Sequence, residues 1–160
     1  MEASSRNSSM AGSLVGDDGL ELTRKAKGDM AELLVAADLR RRGHRISIPF
    51  GEECDYDLIV DRKVTGTLER VQVKLARARP GVLLVQCRSH SLTNGKVKAT
   101  KYYTSETIEW IAAVDWRTRR CFYIPAGELG SGRDGLTLRL EGTANSQSQG
   151  IRWAEDYTTF

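Results

Sequence analysis

One change of period constrains the fold of this chain more than any other feature. From Leu20 to Arg42 apolar residues recur at helical spacing, and beyond Gly43 they recur at every second position. A helix that feeds a series of strands must bury its apolar side on the sheet those strands build. Glycine just past a helix end is a common stop signal, and Arg40, Arg41 and Arg42 suit the negative end of the helix dipole. Met30, Leu33, Leu34 and Ala37 form one apolar seam of the predicted helix. Glu32, Val35, Ala36 and Leu39 form a second, which carries a carboxylate. Burying that carboxylate is expensive unless a metal, a lysine or a backbone donor meets it. The alternative is that Glu32 extends to solvent at the helix edge.

The strands follow from alternation. Ile46 and Ile48 mark a short strand that Pro49 ends. Tyr56 to Asp61 is a second, with Asp57, Ile59 and Asp61 on one face. Leu68 to Leu75 is a third, in which Val71, Val73 and Leu75 face one way and Gln72 and Lys74 the other. The run Val82 to Val85 reads as a central strand. Trp110 to Trp116 and Cys121 to Ile124 form a hairpin over an exposed turn at Arg117 to Arg120, and Leu136 to Leu140 is a last strand. A short helix is expected near Ser105. The class is mixed α/β with one main sheet, an N-terminal helix and additional C-terminal strands.

Composition sets the outer limits. A chain of 160 residues with 40% apolar and 28% charged residues suits one globular domain and excludes a collagen, a coiled coil or a fully disordered chain. No apolar run approaches the roughly 18 residues a membrane span needs. The three cysteines, Cys54, Cys87 and Cys121, lack the pairing or spacing of a zinc site or disulfide framework. They read as buried free thiols in a reducing, cytoplasmic compartment, where the nucleoid would be the partner's location. Residues 1–19 are rich in Ser, Gly and Asn and are expected to be a disordered tail, leaving residues 20–160 as the domain. Gly142 to Gly150 is expected to be a second flexible connection. Trp110, Trp116 and Trp153 are assigned to packing or subunit contacts. A net charge of +3 permits a nucleic-acid partner without arguing for one.

Asp57 lies on one strand, and Gln72 and Lys74 share a face of the next. If the two strands pair, all three converge, and Glu32 can join them from the helix. A carboxylate and an amide oxygen are hard donors of the kind magnesium accepts. A lysine beside them stabilises charge on a phosphoryl group. The spacing is equally that of a solvated polar face with an incidental Asp–Lys contact.

The ordered series is more specific than the triplet. Lys27-Gly28-Asp29-Met30-Ala31-Glu32 leads through the helix to Arg42-Gly43, then Ile46-Ser47-Ile48-Pro49, Tyr56-Asp57-Leu58-Ile59-Val60 and Val71-Gln72-Val73-Lys74. Ile111 to Asp115, Cys121 to Pro125 and Leu136 to Leu140 follow. From about Lys27 to Tyr157 this order resembles the PD-(D/E)XK nuclease superfamily, and most of all its branch of group I intron-encoded homing endonucleases, in which glutamine replaces the acidic residue before x-Lys. The resemblance implies a restriction-endonuclease-like core and a Mg2+-dependent enzyme that hydrolyses phosphodiester bonds in double-stranded DNA. It implies that Asp57 is the principal metal ligand, Gln72 the second through its amide oxygen, Lys74 the catalytic lysine, and Glu32 a helix carboxylate that binds metal or a water on it. A neutral glutamine weakens metal binding, so the scissile phosphate would have to complete the coordination.

DNA contacts are expected from Arg77 and Arg79, and from a basic loop bearing Arg88, His90, Lys96, Lys98, Lys101 and an aromatic tip at Tyr102 and Tyr103. A solvated charged loop is the alternative reading. One site per small chain, set against two DNA strands, points to a homodimer or homotetramer. Two other readings use the same fold: a structure-specific junction-resolving or repair nuclease, and a DNA-binding module without activity.

Overall fold

Thr23 opens the helix: its hydroxyl accepts the Ala26 amide at 3.1 Å, and α1 runs Arg24–Arg41. Gly43, at φ 91°, closes it, with the Gly43 and His44 amides returning to Arg40 and Leu39. This computed structural model describes residues 14–142 and 149–160. The expected tail therefore lies outside the described residues up to residue 13. From Leu14 onward it is ordered: Leu14 is buried and Val15 bridges to Glu21. Most of the expected connection at Gly142 to Gly150 is likewise outside the described residues.

Ten strands follow α1: β1 Arg45–Ser47, β2 Leu58–Arg62, β3 Thr67–Leu75, β4 Arg77–Arg79, β5 Val82–Gln86, β6 Arg88–Thr93, β7 Lys96–Tyr102, β8 Trp110–Asp115, β9 Arg120–Pro125 and β10 Gly135–Arg139. Five of them form the central sheet in the order β1-β2-β3-β8-β9, mixed because β3 and β8 run parallel while the other pairs are antiparallel. This is the mixed α/β class the sequence implies, consistent with a restriction-endonuclease-like core.

Alternation along the central strands divides the core in two. Leu58, Val60, Val71, Val73, Ala112, Val114, Cys121 and Tyr123 face α1 and meet Ala31, Val35 and Leu39. Ile111, Ala113, Phe122 and Ile124 face the other way, onto Leu83, Val85, Leu136 and Leu138. Only one helix stripe is buried, so the seam predicted through Leu33 and Ala37 is exposed, with Leu33 at 67%. Three corrections follow from the second face. Val82 to Val85, read as a central strand, lies outside the main sheet: as β5 it sits at the centre of a separate sheet, β10-β5-β4, that packs on the first through its apolar side. The basic loop is a two-stranded hairpin, β6 with β7, turned by Asn94 and Gly95 at φ 51° and 74°. Near Ser105 there is a single turn, in which Thr104 accepts the Thr107 and Ile108 amides, and no helix.

Cys87 and Cys121 are buried, and burial pushes both thiols up to about 11. Cys54 is exposed, contrary to expectation, because it lies in the loop between β1 and β2. No helix among the described residues is long and apolar enough to cross a membrane. Trp110 packs against Phe160 and donates to Glu69 at 2.5 Å, an intramolecular packing role.

Asp38 pins α1 to the sheet. Tyr123 Oη donates to its Oδ2 at 2.6 Å, and Arg41 and Arg42 donate at 2.7 and 2.8 Å. Burial alone would raise this carboxyl, but those donors outweigh it and hold the pKa below the ordinary value. Asp38→Asn is expected to cost about 1–3 kcal/mol at pH 7 in urea unfolding. A depressed carboxyl stabilises in full above the unfolded value, near pH 4, and loses that contribution as pH falls through the folded value. The wild-type and variant unfolding curves should therefore converge in acid.

Candidate active site

β2 begins at Leu58, opposite Val71. Carried back one residue, that register sets Asp57 opposite Gln72. Leu58 and Val71 face α1, so Asp57, Gln72 and Lys74 share the other face. The Asp57 amide donates to the Val71 carbonyl at 2.9 Å. Its carboxylate then takes the Val73 amide at 2.7 Å and the Gln72 Nε2 at 2.5 Å. Gln72, 7% exposed, is held further by its own contact to the Val73 carbonyl at 3.2 Å. Its Nε2 is engaged on the Asp57 side, which leaves Oε1 as the atom able to ligate a cation.

Lys74 is half-buried, and its ammonium donates to Tyr103 Oη at 3.2 Å. Glu32 reaches the site from α1. It shares with Asp57 a cleft of about 260 Å³, lined also by Asp29, Pro49, Glu52, Cys54 and Tyr56. Gln72 and Lys74 stand behind Asp57 and do not line this cleft. Asp57 is thus the common member, joined to Glu32 across the cleft and to Gln72 and Lys74 through the sheet. Among the described residues no three His, Cys, Asp or Glu side chains form a tight cluster, so the available donors are carboxylates and an amide.

The electrostatics follow from this crowding. Burial raises the Asp57 carboxyl, and the Val73 amide, the Lys74 charge and the Gln72 amide offset only part of that. Glu32 is pushed up to about 7, first by burial, then by the charges of Asp57 and Asp29, against a small pull from Lys25. Glu32 is thus half-buried, lining the cleft while keeping part of its surface open to solvent.

The expected DNA contacts separate into groups. Arg77 and Arg79 are exposed on β4. On the hairpin, Arg88 pairs with Tyr102 and His90 with Thr100 on one face, whereas a β-bulge between Ser91 and Leu92 leaves Lys98 unpaired and sets Lys96, opposite Thr93, on the other face. Lys101 points to the other face and is paired with Asp55. Arg88 is held by Asp134, with its Nε buried and without a partner among the described residues. His90 Nδ1 contacts Thr100 Oγ1 at 2.9 Å and stands far along the hairpin from Asp57 in sequence and strand. The aromatic pair read as the tip is at the base: Tyr102 ends β7, and Tyr103, 4% exposed, is in the core. The Asn94-Gly95 dipeptide was the sequence signal for that geometry.

Glu32 destabilises the metal-free fold in proportion to its charge. Below about pH 4.5, its ordinary value, the group is protonated folded and unfolded alike and has no effect. Between there and about 7 the unfolded chain ionises first, and above about 7 the cost is complete. Glu32→Gln is expected to raise stability at pH 8 by about 1 kcal/mol, reduced by solvent screening of a half-exposed group, and by little at pH 4. Urea melts at the two pH values check this.

A family model described as PD-(D/E)XK endonuclease matches residues 22–160. Among solved structures, a bacterial homing endonuclease, I-Ssp6803I, superposes with a TM-score of 0.66 at 22% identity, covering 85% of this chain and 88% of that one. That likeness establishes the shared fold. Among curated proteins none matches. The family match spans the helix, the central sheet and every residue of the site, and the chain belongs to the PD-(D/E)XK endonuclease family.

Proposed function

We propose that this protein is a Mg2+-dependent endonuclease that cuts double-stranded DNA in the manner of a homing endonuclease. The observation that carries the reading is the convergence of Glu32, Gln72 and Lys74 on Asp57. Asp57 and Glu32 are carboxylates driven toward neutrality by burial, Glu32 also by the charge of Asp57, and such a pair is relieved by a hard cation. The donor chemistry fits: Asp57, Glu32 and the Gln72 Oε1 would hold the metal. A bound divalent cation supplies Lewis-acid stabilisation of the phosphodiester oxygens.

The chain's own groups do the rest. Gln72 and the Val73 amide fix the Asp57 carboxylate so that it does not reorganise during the reaction. The Lys74 ammonium places positive charge where the phosphoryl group gains negative charge. Glu32, with a pKa near 7, is suited to hold or release a proton at its carboxyl oxygen near neutral pH. The hairpin supports the DNA assignment: Arg88 and His90 stand on one face near its base, and Lys98 at the bulge and Lys96 beyond it add exposed cations toward the turn, a set that can meet a phosphate backbone. Arg77 and Arg79 extend the basic surface from β4. Two strands need two sites, which a symmetric dimer or tetramer of this chain provides. The same soluble, DNA-associated setting would be the cytoplasm.

Two experiments test this. Supercoiled plasmid with magnesium is expected to be cut by the wild type, with activity lost in EDTA and lowered at least about 1,000-fold by Lys74→Ala. Equal nicking by both proteins would reject the assignment. Preference for a four-way junction over duplex would replace it with the structure-specific reading. For binding, Lys96→Ala with Lys98→Ala should weaken affinity for all duplexes alike and flatten the log K against log salt slope by about 2.

A further inference from the structure

We infer that Tyr103 is a positioning residue for Lys74, and that it ties the base of the β6–β7 hairpin to the catalytic centre; this rests on the nuclease reading above. Tyr103 follows directly on β7 and is 4% exposed. Its ring lies in the core with Cys87, Ile108, Ile111, Ala113 and Phe122. Its amide donates to the Cys87 carbonyl at 3.2 Å, closing the hairpin base. Thr104 then accepts the Thr107 and Ile108 amides in the turn that leads to β8. β8 runs beside β3 with Ala113 opposite Lys74. The phenol is therefore fixed by the chain on both sides of it.

Lys74 Nζ donates to Tyr103 Oη at 3.2 Å and lies 4.8 Å from the ring centroid. Among the described residues this is its hydrogen bond, and its charge is felt by Asp57. A lysine ammonium sits on a flexible stem with three N–H groups and no preferred direction of its own. One N–H committed to Oη leaves two for a phosphate beside Asp57. The chemical nature of the partner matters. A carboxylate here would cancel the positive charge that phosphoryl transfer needs, whereas a neutral phenol orients the ammonium and leaves its charge whole.

The hairpin shares this anchor. Arg88 and Tyr102 are the paired residues at its base, one position beyond Cys87 and one before Tyr103. DNA seated on the hairpin thus bears on the same strand pair that sets the phenol.

Tyr103→Phe tests the role, since it keeps the ring and its packing and removes only Oη. The expected result is a fall in kcat of about 10- to 100-fold, with KM, duplex affinity and the melting transition unchanged. The Lys74 ammonium 1H–15N signal, slowed in exchange by the phenol in the wild type, should broaden away in the variant. Wild-type kcat in Tyr103→Phe, or a loss shared by KM and stability, would overturn the positioning role while leaving the nuclease reading intact. A wild type that retains the ammonium signal yet cuts no duplex with magnesium or manganese would overturn both.

Discussion

Pairing between β2 and β3 runs out at Leu58, and the Asp57 carboxylate completes the ladder. A main-chain carbonyl would satisfy the Val73 amide without any charge. Here a carboxylate does so, and it is placed in a buried position that raises its pKa. The arrangement brings the Gln72 amide against it, keeps it within reach of the Lys74 charge, and sets it beside Glu32 in a shared cleft. Each neighbour's properties follow. Glu32 is raised by burial and then by the charge of Asp57, and Lys74 is oriented by its hydrogen bond to the Tyr103 phenol. The site is costly to the metal-free fold and is compensated elsewhere, as with the Asp38 network that fastens α1 to β9.

The layered core explains why these groups hold their places. β8 is buried on both faces, with Ala112 and Val114 toward the helix and Ile111 and Ala113 toward the second sheet. β3 lies beside it in parallel, so Gln72 and Lys74 emerge from a strand that cannot shift register without exposing Val71 and Val73. The proposed chemistry therefore stands on strands packed into the central sheet, while the proposed DNA contacts stand on a hairpin exposed along nearly its whole length.

Much of this was legible in the order of residues. Period-two alternation assigned Gln72 and Lys74 to one face and Val71 and Val73 to the other, because strand geometry leaves no other choice. Gly43 and the arginines before it marked the helix end. What alternation does not carry is which sheet a strand joins: Val82 to Val85 reads the same whether it extends the central sheet or packs across its face. Helix period likewise offered two seams, and only the tertiary contact of α1 selected Ala31, Val35 and Leu39. Charge alone marks the basic segment as a loop, whereas its Asn94-Gly95 pair places the turn there and so puts Tyr102 and Tyr103 at the base of a hairpin. The burial of Tyr103 against Lys74 depends on that placement.

The central claim is that Asp57 organises a cation site for phosphodiester hydrolysis. A crystal structure of the protein with duplex DNA and Mn2+, located by its anomalous signal, tests it most directly. The account predicts manganese about 2.1 Å from an Asp57 carboxylate oxygen and the Gln72 Oε1, with a DNA phosphate beside the Lys74 ammonium. Manganese seated away from Asp57, or a duplex phosphate on the opposite face of β3, would contradict it.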